Sequence, residues 1–182
     1  MATRVGLDGA RGLVTAEPIT AIGDVPPFDN TAMDGFAVRS VDTVGSPVEL
    51  VVVGTLPAGV PPEVGVGSGE AVRIKTGAVM PPGADSVVMV ERTTTSDDGA
   101  TVTVEVEVGP GNHVRSAGED LRAGDEVFPL GTVLEPGHIG VLASIGRMEV
   151  PVFGRPTVGV LSTGDELVDG PVGLAPGQIR DA

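Results

Sequence analysis

Asp34 is the first residue in the chain whose surroundings suit chemistry. It stands in PPFDNTAMDGFAVR, residues 26–39, where two prolines fix the entry and Asp29, Asn30 and Thr31 offer capping or turn-forming side chains. Asp34-Gly35 then permits a tight reversal into the apolar Phe36-Ala37-Val38. The pattern predicts a loop, a single helical turn begun near Asp29 or Asn30, and then a strand, with the Asp34 carboxylate at a fixed corner. A corner pinned by packing suits a functional carboxylate. Asp-Gly is equally a common hairpin signal, under which Asp34 only makes the turn.

Arg73 and Lys75 precede Thr76-Gly77 and form the densest positive charge of an acidic chain; Lys75 is its sole lysine. Alternate positions 73 and 75 share one face of a strand. The Gly77–Asp85 turn that follows offers backbone N–H groups for an anion nest beside those cations, or else the charges protect a solvated strand edge. Asp120 lies in Gly118-Glu119-Asp120, just after Arg115, in what also reads as an ordinary acidic surface turn. Thr163-Gly164-Asp165-Glu166 follows the apolar run Thr157–Leu161, the pattern of a buried parallel strand delivering polar groups at its carboxyl end. There one carboxylate, Asp165 by preference, could cap a following helix while the other points into the crevice. His113 and His138 lack a carboxylate and serine at triad spacing and read as structural, and the glycine-rich phosphate-binding motifs are missing in the needed context.

The elements that must position these residues are mostly strands. The N-terminal 24 residues read as extended, without a stable helix. Pro47–Val53, Ala71–Lys75, Ser86–Glu91 and Glu126–Leu134 are strand candidates, and Thr101–Val108 alternates valine with threonine or glutamate as a half-exposed strand does. Ser96–Gly99 reads as a hairpin turn. Glu135-Pro136-Gly137 opens the best helix, about His138–Ile145, with Gly146 as its cap, and Arg147–Phe153 returns as a strand.

Composition bounds the rest. A chain of 182 residues can bury about 70% of its unfolded surface. Aromatic residues are 2% of it, so Val, Ile, Leu and Ala must pack the core, and 28 Gly with 16 Pro argue for short strands and many turns rather than a helical bundle. A net charge of −14 repels nucleic-acid phosphates and anionic membranes, so neither is an expected partner. Anionic substrates would need a local basic pocket, a divalent cation, or both. The absence of cysteine excludes disulfides and thiolate chemistry. No run approaches membrane-spanning length and the N-terminus has no apolar signal region, which reads as a cytoplasmic protein.

Four spaced blocks carry a resemblance over nearly the whole chain. After PPFDNTAMDGFAVR come RIKTGAVMPPGADSVVMVE (73–91), VRSAGEDLRAGD (114–125) and RPTVGVLSTGDELV (155–168), closing with PGQIRD (176–181). Together they resemble the molybdenum insertases, the molybdopterin molybdenumtransferases of the MoeA family, related to the gephyrin E domain, whose members carry a near-identical PPFDNSAMDGYAVR. The resemblance implies a mainly β fold with some α: a β module (29–120) inserted in an extended linking domain (1–28 and 121–153), then the start of an α/β, molybdopterin-binding-like domain (154–182). Family members begin with a longer amphipathic helix, so the start looks shortened, and the chain looks to stop inside its third domain. With no partner strands, that last segment is expected to be disordered or to pair at an edge, and the chain alone to be catalytically incompetent.

In function, the resemblance implies insertion of molybdenum from molybdate into adenylylated molybdopterin, with Mg²⁺-dependent hydrolysis of the adenylate. It points to Asp34, Thr76, Asp120 and Glu166 as the functional set, with Asp34, Asp120 and Glu166 as Mg²⁺ ligands, since hard oxygen donors suit that ion. Arg73, Lys75, Thr163, Gly164 and Asp165 are expected to contact substrate. A homodimer and a molybdopterin adenylyltransferase are the implied partners. An inactive fragment or a non-enzymatic scaffold module of the same family is the alternative.

Overall fold

The computed structural model describes residues 1–181. In chain order, β1 (Ala2–Gly6) is followed by a single helical turn α1 (Leu7–Ala10), β2 (Val14–Thr15) and β3 (Ile19–Thr20). Next come β4 (Asn30–Thr31), β5 (Gly35–Val38), β6 (Val48–Leu56), β7 (Glu70–Ile74) and β8 (Ser86–Met89). A hairpin of β9 (Thr93–Thr95) and β10 (Thr101–Val104) leads on to β11 (Val114–Arg115) and β12 (Glu126–Phe128). The chain continues through α2 (Pro136–Ser144), β13 (Glu149–Phe153), β14 (Leu167–Val168) and β15 (Ile179–Arg180).

The largest sheet has the order β8-β5-β7-β6-β10-β9, antiparallel throughout except for the parallel pair β6–β7. Both its faces are covered. Phe36, Val38, Ala71, Val88, Leu50, Val102 and Val104 pack on one side. Ala37, Val72, Ile74, Val87, Leu56 and Ala78 pack on the other. That alternation is the period of 2 expressed as two half-cores, and it explains why every residue of β5 is buried. A separate core joins the beginning of the chain to its later part: Ala10 and Ile19 pack with Leu134, Leu142, Ile145, Val150 and Val152. There β13 lies between β1 and β2, and β3 pairs with β12.

The helix begins at Pro136, where a proline has no N–H to lose, and is followed by Gly146 in the left-handed region at φ 75°. His138 is structural: its Nδ1 accepts the Glu135 N–H at 3.1 Å and its ring lies 4.7 Å from that of Phe128.

Several expectations are corrected. Asn30–Thr31 is a strand rather than a helical turn, because β11 and the Ala78 carbonyl take its backbone groups into pairing. The first part of Thr101–Val108 alternates as expected, but the strand ends at Val104. The Glu105 N–H turns to the Arg92 carbonyl and the Val108 N–H to the Thr43 hydroxyl. Likewise only Glu126–Phe128 of the Glu126–Leu134 run is strand. The extended N-terminal stretch holds the one-turn α1. The Thr157–Leu161 run is not a buried strand: Val158, Val160 and Leu161 are 74%, 88% and 86% exposed, and no strand pairs with them among the described residues. Among the described residues no helix follows Asp165 for it to cap; β14 and β15 form a short parallel pair instead. Among the described residues no helix is long and apolar enough to cross a membrane.

Candidate functional site

Strand register builds the site. In the antiparallel β5–β7 ladder Gly35 stands opposite Ile74, and one step further sets Asp34 opposite Lys75. Lys75 Nζ donates to Asp34 Oδ2 at 2.8 Å. The Thr76 backbone N–H and its hydroxyl both donate to Asp34 Oδ1, each at 2.8 Å. Asp34 and Lys75 remain about half exposed, at 46% and 49% of their side-chain surface, so the cluster faces solvent. The Lys75 ammonium foremost, then the two Thr76 donors, hold the Asp34 carboxyl far below the usual carboxylate range.

Two glycines make this approach possible. A Cβ on Gly35 would lie 2.1 Å from the Val88 carbonyl oxygen, so β8 can run this close only past a glycine. The Asp34-Gly35 pair is therefore no hairpin reversal: Gly35 is already inside β5, and its glycine answers a steric demand across the sheet. Gly77 has φ 80° in a turn closed by the Ala78 N–H on the Lys75 carbonyl, which brings Thr76 over Asp34.

The anion nest expected in Gly77–Asp85 is narrowed, because five of the seven amides of that turn are already engaged. Gly77 donates to Thr31, Ala78 to Lys75, Met80 to Asp29, Ala84 to Pro81 and Asp85 to Val38. Arg73 stands exposed on the Phe36 side of β7 and forms no ion pair among the described residues, so it and Lys75 do not act as one pair of free cations.

Asp120 belongs to a second cluster. β11 pairs Arg115 with Asn30 of β4, and the Arg115 guanidinium bridges Glu119 and Asp120, donating to Asp120 Oδ2 at 2.7 Å. The Asp120 N–H donates to the Val25 carbonyl, and the Ala117 N–H to Asp29 Oδ1 at 2.8 Å. Thr163, Gly164 and Asp165 are exposed, and the Glu166 carboxylate folds back so closely over Gly164 that a Cβ there would meet it at 2.6 Å. Among the described residues no group of three or more His, Asp or Glu side chains is placed to hold a metal ion. Asp34, Asp120 and Glu166 are thus not gathered into one ligand set in this chain.

The sequence reading did not foresee the Lys75–Asp34 pair or Arg115 as the partner of Asp120. Arg115 could have been found from its spacing to Glu119 and Asp120, whereas nothing local joins residues 34 and 75. A cleft of about 260 Å³ under the proline-rich 57–64 loop, lined by Leu56, Val60, Val64 and Val72, includes none of the expected site residues.

Comparison with known proteins adds to this geometry. Residues 1–146 match the family model described as MoeA N-terminal region (domain I and II). The molybdopterin molybdenumtransferase of Staphylococcus aureus (strain Mu50) is 40% identical over 185 residues, covering 100% of this chain and 44% of its own length. That of Haemophilus influenzae is 44% identical over 177 residues, covering 97% of this chain and 43% of its own. The crystal structure of the molybdopterin biosynthesis moeA protein from Pyrococcus horikoshii OT3 aligns with a TM-score of 0.87 at 37% identity, over 92% of this chain and 45% of that one. The chain therefore spans less than half the length of these relatives.

Proposed function

Because the chain belongs to the MoeA N-terminal region family, we propose that it serves the insertion of molybdenum into molybdopterin, with adenylylated molybdopterin and molybdate as substrates. The observation that carries this reading is the direct contact of Asp34 with Thr76, two residues singled out by resemblance and 42 positions apart in the chain.

Asp34 stays ionised across the neutral range, so it is a fixed negative charge and not a proton shuttle. Its part is to position Lys75. An ammonium has three donors, and the one on Asp34 leaves two for an oxyanion such as molybdate or a phosphoryl group. Arg73, two residues before Lys75 on the same side of β7, adds positive potential, which favours the encounter with an anionic pterin in a chain of net charge −14. Asp120, held by Arg115, and the Thr163–Glu166 segment complete the proposed substrate contacts. Mg²⁺ fits these donors poorly as they stand: both Asp34 oxygens already accept hydrogen bonds, one of them from a cation, and Asp120 is paired with another.

The same reading divides the chain into a β module at 29–120, linking segments at 1–28 and 121–153, and a further segment from 154, and makes the working form a cytoplasmic homodimer that receives substrate from an adenylyltransferase. Its test is molybdate-dependent consumption of adenylylated molybdopterin by protein from the gene carrying Asp34→Asn. Yield should fall by about tenfold or more with an unchanged circular dichroism spectrum. Wild-type yield would refute a role for Asp34.

A further inference from the structure

We propose that the Lys75 ammonium is the resident cation of Asp34, filling the position a divalent metal would take, so that a metal reaches Asp34 only when that ammonium is removed. This stands apart from the molybdenum reading, since it concerns what the carboxylate can bind and not the reaction it serves.

Three observations carry it. First, three of the four acceptor positions of the carboxylate are taken: Oδ1 accepts two hydrogen bonds from Thr76 and Oδ2 accepts Lys75 Nζ, all at 2.8 Å. A magnesium ion sits at about 2.1 Å from a ligand oxygen in near-octahedral geometry, so it would have to displace one of these donors or crowd in beside the ammonium on Oδ2, facing a like charge a few ångströms away. Second, Lys75 is not a wandering surface lysine. Its N–H donates to the Leu56 carbonyl at 3.1 Å and its carbonyl accepts the Ala78 N–H at 2.9 Å, so the backbone is fixed by β6 on one side and the Gly77 turn on the other. The β5–β7 register then sets it directly across from Asp34, the arrangement in which opposite charges on neighbouring strands attract. Third, among the described residues Asp34 belongs to no group of three or more His, Asp or Glu side chains placed to hold a metal, so no full ligand set offsets the lone pairs given to the ammonium.

The chemistry that follows is specific. An ammonium neutralises Asp34 without Lewis acidity and with donors rather than open coordination positions, so the cluster recognises an anion by hydrogen bonding. Substituting Lys75 with an uncharged residue of similar length should expose a carboxylate already oriented by Thr76.

The test is Mn²⁺ titration followed by electron paramagnetic resonance on the 182-residue chain, comparing wild type, Asp34→Asn, Lys75→Met and the double variant. Wild type and Asp34→Asn should bind Mn²⁺ alike. Lys75→Met should gain about tenfold or more in affinity, as removal of an adjacent like charge predicts, and the double variant should lose that gain. Weaker Mn²⁺ binding by Asp34→Asn than by wild type, or a smaller gain in Lys75→Met, would overturn the proposal. A second measurement needs no variant: in wild type, Mn²⁺ should leave the Thr76 amide resonance as sharp as that of buried Val102. Selective broadening of Thr76 would place the metal at Asp34 and overturn the proposal even if Lys75→Met failed to fold.

Discussion

Replacing Gly35 with alanine adds one methyl group at the point where the sheet is tightest. An ideal Cβ there meets the Val88 carbonyl oxygen at 2.1 Å, the Val88 carbonyl carbon at 2.9 Å and the Met89 Cα at 3.1 Å, and all three are backbone atoms that no rotamer change can move. To restore ordinary contact, β5 and β8 must part by about 1 Å, which stretches a ladder hydrogen bond beyond useful length. The strands cannot part freely, because β5 is buried on both faces and Phe36 and Val87 are held in opposite half-cores. Overpacking of this kind costs about 1–3 kcal/mol. The alanine also restricts the unfolded chain, an opposing gain of about 0.4–1 kcal/mol. The steric term wins, for a net loss of about 1.3 kcal/mol. With a urea slope of about 2 kcal/mol per M the unfolding midpoint should fall by about 0.6 M. The chain has no Trp or Tyr, so far-ultraviolet circular dichroism is the probe. Because Asp34 precedes Gly35, anion binding at Lys75 should weaken as well. A variant as stable as wild type would refute the argument that Gly35 is required by the proximity of β8.

Thr15→Val keeps the volume of a fully buried side chain and removes a hydroxyl that donates to the Pro129 carbonyl and accepts the Thr132 N–H. Pro129 keeps the Thr132 hydroxyl, so one unpaired N–H remains, and urea unfolding should register a loss of about 1.5 kcal/mol. The Asp34 pKa is depressed in the folded state, so its contribution is fully present above the unfolded value of about 3.9 and disappears as pH falls toward the folded one. The difference in urea midpoint between wild type and Asp34→Asn should therefore shrink below about pH 4; a difference that held constant with acidification would count against the Lys75 and Thr76 contacts. Limited proteolysis should cut first between Gly154 and Glu166, where the chain is exposed and without strand pairing, and leave residues 1–153 intact; early cleavage inside β5–β8 would contradict the packing described.

Composition pointed to the class of fold. A chain short of aromatics and rich in valine, glycine and proline favours short strands and many turns, and the main sheet is packed by Val, Leu, Ile and Ala with Phe36 as the buried ring. Local signals also sufficed where the partner was near in sequence: Pro136 opens a helix, Gly146 lies just past its end, and Ser96–Gly99 closes a hairpin. The alternation at Thr101–Val104 told which face is buried, but it could not tell that pairing stops at Val104, because the N–H groups beyond it turn to Arg92 and Thr43. The apolar run at Thr157–Leu161 has the composition of a buried strand, yet burial needs neighbours, and these 182 residues bring it none among those described. The site was decided in the same way. Asp34 and Lys75 are each conspicuous in the sequence, but their meeting depends on which strand edges pair and in which register. Those are properties of the assembled sheet, enforced here by the absent side chain of Gly35 and the turn at Gly77.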